Sequence, residues 1–435
     1  MRIVTLNKES KEELLNLLAA RSPEGYPKEE AQVAEIIARV RNERDKAVFD
    51  YTKQFDHVEV TAESVKVARA QIDEAYSMLD EAFIEVMRHA AENIRTFHMK
   101  QKRNTWIDTK EDGSILGQRI LPLAISGVYV PGGKAAYPSS VLMNVIPATV
   151  AGVKRIIMTT PPSDNPDYAR TAGIAPSTLV AADIAGVTEV YRAGGAQAIA
   201  AMAFGTESIP KVDKITGPGN IYVALAKKAC FGHVSIDSIA GPSEILVLAD
   251  ETADARYVAA DLLSQAEHDE MASAILITTS RTIAEQVSEE VDGFLKTLER
   301  AEIIKKSLDQ YGYIFVADTM EEAIEAANEI ASEHLEILTK DPFETMTKIQ
   351  NAGAIFLGAY SSEPLGDYFA GPNHILPTNR TARFFSPLSV DDFIKKTSII
   401  SYSKEALEAV HADVERFAQE EGLTAHANSI AVRFE

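Results

Sequence analysis

The chain has 435 residues, 25% of them charged and 46% hydrophobic, with a formal net charge of −21. That composition is globular, and the length calls for roughly two to four domains because one compact core cannot hold it. The negative charge repels a phosphate backbone and sets nucleic acid aside as a partner, while a single cysteine, Cys230, excludes an intramolecular disulfide or multi-thiolate metal site within one chain.

The amino terminus, Met1-Arg2-Ile3-Val4-Thr5-Leu6, lacks the basic start and long apolar stretch of an export signal. Together with the lone cysteine this suits a cytoplasmic protein. From Lys8 to about Arg103 the pattern is helical: Leu14, Leu17 and Leu18 share a face, as do Val33, Ile36, Ile37 and Val40. Beyond Leu116, short apolar runs alternate with amphipathic stretches, the pattern of parallel strands wrapped by helices. Strands are predicted at 124–130, 154–159, 188–192, 212–216, 244–249, 274–279, 312–317 and 353–357. Helices are predicted at 195–205, 219–231, 254–268, 281–296 and 320–332. The longest apolar stretch, Val141 to Val153, is interrupted by Asn144 and Pro147 and is shorter than the roughly 20 residues of a bilayer helix, so no membrane span is expected.

The fold class expected is α/β, with two incomplete Rossmann-like, doubly wound halves whose strand order is left open. The expected regions are a helical amino-terminal region at 1–114, the two halves at 115–240 and 241–375, and a carboxyl-terminal tail domain at 376–435. Past Pro377 the alternation is lost, leaving an irregular stretch and one amphipathic helix at about 404–420. Such a tail cannot bury its own core and is expected to dock elsewhere.

The usual dinucleotide, P-loop, zinc-protease and serine-hydrolase signatures are all missing from the sequence. Three glycine-rich turns nevertheless follow apolar strands: Tyr129-Val130-Pro131-Gly132-Gly133, Ala193-Gly194-Gly195-Ala196-Gln197 and Gly217-Pro218-Gly219-Asn220. Each can aim backbone N–H groups at an anion. Any one alone is better read as a tight βα turn; three in one half, with aromatic or amide side chains beside them, favour a nucleotide. A fourth, Gly241-Pro242-Ser243-Glu244, opens the second half.

Gln265 and His268, three apart at the end of a predicted helix, project from one face. Alone they would be read as a capped or hydrogen-bonded core histidine. Glu333-His334 stands at a helix-to-strand junction and pairs two proton acceptors of different basicity. Leu365-Gly366-Asp367-Tyr368 and Gly371-Pro372-Asn373-His374 form a loop short of aliphatic residues, and Gly422 in Glu421-Gly422-Leu423-Thr424-Ala425-His426 is expected to stop the tail helix. Without thiols, a metal must be held by imidazole and carboxylate, with an amide oxygen as a rarer ligand. Spacing does not select Gln265, His268, Asp367 and His426 from nine histidines and 64 acidic residues.

Together these motifs resemble the histidinol dehydrogenases, almost continuously from Gly127 to Thr378 and again at Glu421 to His426, while the first hundred residues match in character only. The resemblance implies NAD-dependent, four-electron oxidation of L-histidinol to L-histidine through an aldehyde, late in histidine biosynthesis. It implies one zinc per subunit on Gln265, His268, Asp367 and His426, with Glu333 and His334 as the catalytic acid–base pair. Ser243, His374 and Glu421 would join the metal ligands and His334 in contacting the substrate, and Tyr129, Gln197 and Asn220 would meet NAD. It further implies a homodimer in which the tail of one subunit reaches the site of the other. Two competing readings of the same residues are a zinc hydrolase, with Glu333 activating water, and a metal-stabilised binding or scaffold protein. Cys230 follows Lys227 and Lys228 on a predicted helix and is expected to be a buried, non-nucleophilic thiol.

Overall fold

Runs of Val, Ile and Leu without polar alternation cannot face water on either side, and they become the inner strands of parallel sheets. Glu244–Ala249 (EILVLA) and Ser273–Thr278 (SAILIT) are buried at every position. Each fully buried aliphatic side chain there contributes roughly 1.5–3 kcal/mol relative to exposure. The computed structural model describes residues 1–21, 25–132 and 136–435. Among these the strands form three sheets, distributed over two compact units.

The larger unit comprises Met1–Gln101 and Ala124–Phe393. Its five-stranded sheet runs, in spatial order, Glu189–Arg192, Arg155–Thr160, Ile125–Tyr129, Lys214–Thr216 and Ser235–Ile236, with every pairing parallel. Its six-stranded sheet runs Arg2–Thr5, Gly312–Val316, Ser273–Thr278, Glu244–Ala249, His334–Leu338 and Ala354–Leu357, again parallel throughout. Leaving aside the Arg2–Thr5 edge, each sheet starts at a central strand, winds outward to one side and then returns to the other side of that strand. This is the doubly wound arrangement, and the return creates a crevice between neighbouring strands whose connections leave in opposite directions.

The expected strands lie close to the observed ones. The first strand differs: Arg2–Thr5 pairs with Gly312–Val316, so the amino-terminal region contributes an edge to the six-stranded sheet as well as helices. The interrupted apolar stretch forms the buried helix Pro138–Ala151, with Pro147 inside it. No helix among the described residues is long and apolar enough to cross a membrane.

The smaller unit, Lys102–Leu123 and Ile394–Glu435, is built differently. Ile115–Pro122 pairs antiparallel with both Trp106–Thr109 and Ile394–Ser401. The irregular stretch expected past Pro377 therefore contains an eight-residue strand. The tail helix is broken into Lys404–Glu408 and His411–Glu420, and Gly422, at φ +72, stops it before a further helix, Thr424–Ala431. Of the residues from 404 onward only Ala406, Ala418 and Ala427 are buried among apolar side chains, while Val414, Phe417, Leu423 and Val432 are exposed.

Candidate active site

The helix Met320–Ile330 starts at Thr319, whose side chain accepts from the Glu322 N–H at 3.2 Å. It stops at Ala331, held at φ +51, a left-handed conformation unfavourable for a residue with a Cβ. The chain then enters the strand His334–Leu338 with Glu333 and His334 at its amino end. In the neighbouring strand His334 is in register with Ile245, which places the Glu244 peptide against both side chains. Its N–H donates to Glu333 Oε2 at 2.9 Å, and His334 Nδ1 donates to its carbonyl at 3.0 Å. A carbonyl can only accept, so Nδ1 carries the proton and Nε2 is the basic atom of the neutral ring. Nε2 has no hydrogen-bond partner among the described residues and stands 3.8 Å from Asp367 Oδ1.

Burial pushes the Glu333 carboxyl up to about 8, against the pull of the adjacent His334 ring. Burial also opposes charge on His334, but Glu333, Asp367 and Glu363 outweigh it and raise that ring to about 10. Asp367 is moved the other way: burial penalises its charge, yet His334 and His374 overcome the penalty and hold the carboxyl at about 2. A cluster this rich in buried carboxylates attracts a cation.

Gln265 and His268 do converge. They lie at the carboxyl end of the helix Ala255–Ala266, which starts from the Asp254 cap, and the Gln265 side-chain N–H donates to His268 Nδ1 at 3.3 Å. Gln265 is fully buried, and its Oε1 has no protein hydrogen-bond partner. Such an oxygen carries a large penalty unless something else satisfies it. Ligand atoms of His268, Glu363 and Asp367 lie within 4.8 Å of one another. An orphaned amide oxygen beside an imidazole and two carboxylates fits a divalent metal of intermediate softness. His374, on the following loop, donates from Nδ1 to the Asp367 carbonyl at 3.0 Å.

These groups open into a cavity of about 730 Å³. Gln265, His268, Ser243, Glu333, His334, Asp367 and His374 line it, and so does the turn Gly217-Pro218-Gly219-Asn220 from the five-stranded sheet. Asn220 caps the helix Ile221–Cys230, its side chain accepting from the Tyr222 and Val223 N–H groups. Gly217, at φ +118, approaches the chain so closely that a Cβ would lie 2.0 Å from the Tyr129 carbonyl oxygen. The buried ion pair of Lys227 and Asp237 grips the same peptide: Lys227 Nζ donates to the Gly217 carbonyl at 3.0 Å, and the Gly217 N–H donates to Asp237 Oδ2 at 2.8 Å.

Tyr129 and Gln197 are buried and lie outside the cavity lining. The Tyr129 hydroxyl accepts from the Gly195 N–H at 3.1 Å, tying two of the glycine turns together. Gly133 of the first turn lies outside the described residues. Glu421 and His426 belong to the smaller unit, where they border an apolar groove formed with Val414, Phe417, Leu423 and Ile430. Cys230 is fully buried, and burial pushes its thiol up to about 12, which leaves it un-ionised at neutral pH.

Sequence reasoning missed Glu363, Glu244 and Arg21. Glu363 had a usable signal, since it stands one helical turn before Asp367 in Glu363–Tyr368 and therefore on the same face. The buried ion pair of Arg21 with Glu244, with Nη2 to Oε1 at 2.5 Å, spans more than two hundred residues and has no local signature.

Fold and cavity together define an α/β protein with a buried carboxyl–imidazole pair beside a cation-ready donor set, facing a helix amino terminus suited to an anion. The chain belongs to the histidinol dehydrogenase family, whose model matches residues 20–434 and so includes most of the helical first hundred residues. It is 59% identical to the histidinol dehydrogenase of Halalkalibacterium halodurans over 94% of this chain and 95% of that protein. It is 56% identical to that of Caldanaerobacter subterraneus over 93% and 92%. The crystal structure of histidinol dehydrogenase from Elizabethkingia anophelis superimposes with a TM-score of 0.93 at 38% identity, covering 100% of this chain and 98% of that one. A betaine aldehyde dehydrogenase from Staphylococcus aureus, at TM-score 0.50 and 13% identity over 86% of this chain and 88% of that one, shares the fold alone.

Proposed function

We propose that the protein oxidises L-histidinol to L-histidine with two NAD per turnover, as a cytoplasmic, zinc-dependent enzyme of histidine biosynthesis. The observation that carries this reading is the Glu333-His334 pair at one wall of the cavity, with the orphaned Gln265 Oε1 and the His268–Asp367 cluster beside it. Family membership supplies the substrate.

Gln265, His268 and Asp367, with His426 of the partner subunit, would hold zinc, and Ser243, His374 and Glu421 of the partner subunit would complete the substrate's surroundings. Zinc, when bound, supplies a template for the substrate's imidazole and amine and adds positive charge beside the carboxylates. NAD, when bound, accepts the hydride of each oxidation. Asn220, in the cavity lining, would meet the nucleotide, as would Tyr129, which braces the Gly194-Gly195 turn, and Gln197, in the helix that follows that turn.

His334 Nε2 takes the proton of the substrate hydroxyl as the alcohol becomes an aldehyde. The ring must be neutral for that step, and cationic charge at Asp367 offsets the carboxylates that otherwise keep it protonated. Glu333, held by the Glu244 N–H and favoured in its ionised form by the same cationic charge, takes a proton from water as it adds to the aldehyde. His334 then accepts the hydroxyl proton of the hydrate, leaving the carboxylate product. The sequence balances as a primary alcohol plus water giving a carboxylate, two hydride equivalents and three protons, with His334 releasing its first proton to solvent before it accepts the second. A covalent route through cysteine would need a thiolate, and the Cys230 thiol is buried and un-ionised.

Homodimerisation with a tail shared between subunits is part of the same proposal; the exposed apolar face of the His411–Glu420 helix is its support. The test is spectrophotometric. Two NADH per histidinol consumed is expected, and a protein that forms no NADH but cleaves esters or amides would turn the reading to a hydrolase.

A further inference from the structure

Glu244 and Arg21 are each 2% exposed, they pair with each other, and neither lines the cavity. Arg21 lies just past the helix Lys8–Ala19, its guanidinium packed over the Tyr311 ring at 5.2 Å. Its Nη2 donates to Glu244 Oε1 and its Nη1 donates to the Met271 carbonyl at 2.7 Å, on the loop that follows His268. The same Glu244 Oε1 accepts from the Asn379 N–H at 3.2 Å, on the loop that follows His374. Nearby, the Gly241 N–H donates to Thr378 Oγ1 at 2.7 Å and the Ser273 N–H donates to the Ser243 carbonyl at 3.0 Å. One buried ion pair thus joins the loops bearing Ser243, His268 and His374, and the backbone of its acidic member is the peptide bonded to both Glu333 and His334.

We propose that Arg21 and Glu244 are positioning residues that fix the Glu244 peptide and thereby orient Glu333 and hold His334 in the tautomer with Nδ1 protonated. This rests on the proposed roles of Glu333 and His334. The pair acts through geometry: a displacement on the order of 1 Å at a proton-transfer group costs about a hundredfold in rate. Deleting one partner would bury an unpaired charge, so the informative variant replaces both with apolar residues of similar size, a change that buried ion pairs often tolerate.

In Arg21→Met/Glu244→Leu, the melting temperature is expected to stay near that of the parent, kcat to fall at least about tenfold, and KM for alcohol and nucleotide to stay within about threefold. In the Zn²⁺-loaded protein the 15N resonances of the neutral His334 ring, assigned by their loss in His334→Gln, are expected to change from one Nδ1-protonated form to a mixture of tautomers. Should the double variant fail to fold, Arg21→Lys decides; it keeps both charges of the pair but loses the guanidinium fork that reaches Glu244 and the Met271 carbonyl together, and a kcat loss of about threefold with unchanged KM is expected. An unchanged kcat and an unchanged tautomer in a folded variant would overturn the inference. The tautomer measurement needs no turnover, so a parent protein that forms no NADH would refute the proposed function while leaving the anchor still measurable.

Discussion

The five-stranded sheet meets the cavity at the carboxyl ends of its strands, through Pro131 and the turn Gly217 to Asn220. The six-stranded sheet meets it at the amino ends of its strands, through Ser243 before Glu244–Ala249 and Glu333 before His334–Leu338. In a parallel α/β sheet, helices begin at the first kind of edge and end at the second. The first therefore presents free N–H groups and the positive ends of helix dipoles, and the second presents carbonyls and negative ends. Anions suit the one; metal ions and protonated imidazoles suit the other. Ligand sites in open α/β sheets ordinarily use only the carboxyl edge. Here the second sheet turns its amino edge inward, and that edge carries the carboxylates, the imidazoles and the orphaned Gln265 oxygen.

The largest expected effect tests the amino edge. His334→Gln should reduce NADH formation by a thousandfold or more, of the order reached by loss of a general base, while calorimetry still detects histidinol binding. A scaffold protein would keep every function in that variant. Next, chelation should abolish turnover and added Zn²⁺ restore it. Because His268 and His426 must be neutral to bind metal, affinity measured by competition with a chromophoric chelator should weaken as pH falls through the histidine range. Flat affinity from about pH 5 to 8 would remove histidine from the ligand set.

The carboxyl edge is tested by Gly217→Ala, which combines a φ of +118 with a Cβ 2.0 Å from the Tyr129 carbonyl oxygen. A loss of at least about 2 kcal/mol in denaturant unfolding is expected, with a higher KM for the nucleotide than for the alcohol in whatever folds. A smaller effect concerns Asp56, whose buried Oδ2 has no hydrogen-bond partner and whose field reaches the Tyr129 phenol. Burial raises its carboxyl to about 7. The folded protein then holds that proton longer than the unfolded chain does, so this contribution is full below about pH 4 and is lost as pH rises through 7. Asp56→Asn should flatten the decline in melting temperature between about pH 4 and 7 and raise stability at the upper end by up to a few kcal/mol, at most about 4. The smallest effect expected is that of Cys230→Ala, with turnover within about twofold of the parent; a loss of several orders of magnitude with the fold intact would reopen a covalent route.

Much of this was legible in the chain. Unbroken apolar runs such as EILVLA announce buried parallel strands, and the three-residue spacing of Gln265 and His268 announces their convergence. Arg2–Thr5 was not legible as a strand because four residues carry no period of their own and are recruited by pairing with Gly312–Val316. Ile394–Ser401 was missed because an exposed, polar antiparallel strand depends on Ile115–Pro122, far away in sequence. Tyr129 ends a strand at a glycine turn, as its sequence context indicates, yet packing buries the side chain and engages its hydroxyl with Gly195.

By itself the sequence determined the residue chemistry: a lone cysteine without a thiolate partner set, the Glu333-His334 pair, the glycine turns and the apolar runs that oblige parallel sheets. Those properties are local, set by side-chain type and spacing along one element. Tertiary structure alone decided which edge of each sheet faces the cavity, and that His268 meets the Glu363 and Asp367 face of a separate helix. It alone decided that the backbone of Glu244, whose side chain pairs with Arg21, is hydrogen-bonded to both Glu333 and His334. These arrangements depend on contacts across hundreds of residues, where burial raises or lowers proton affinities and register chooses the neighbours, and no local pattern encodes either.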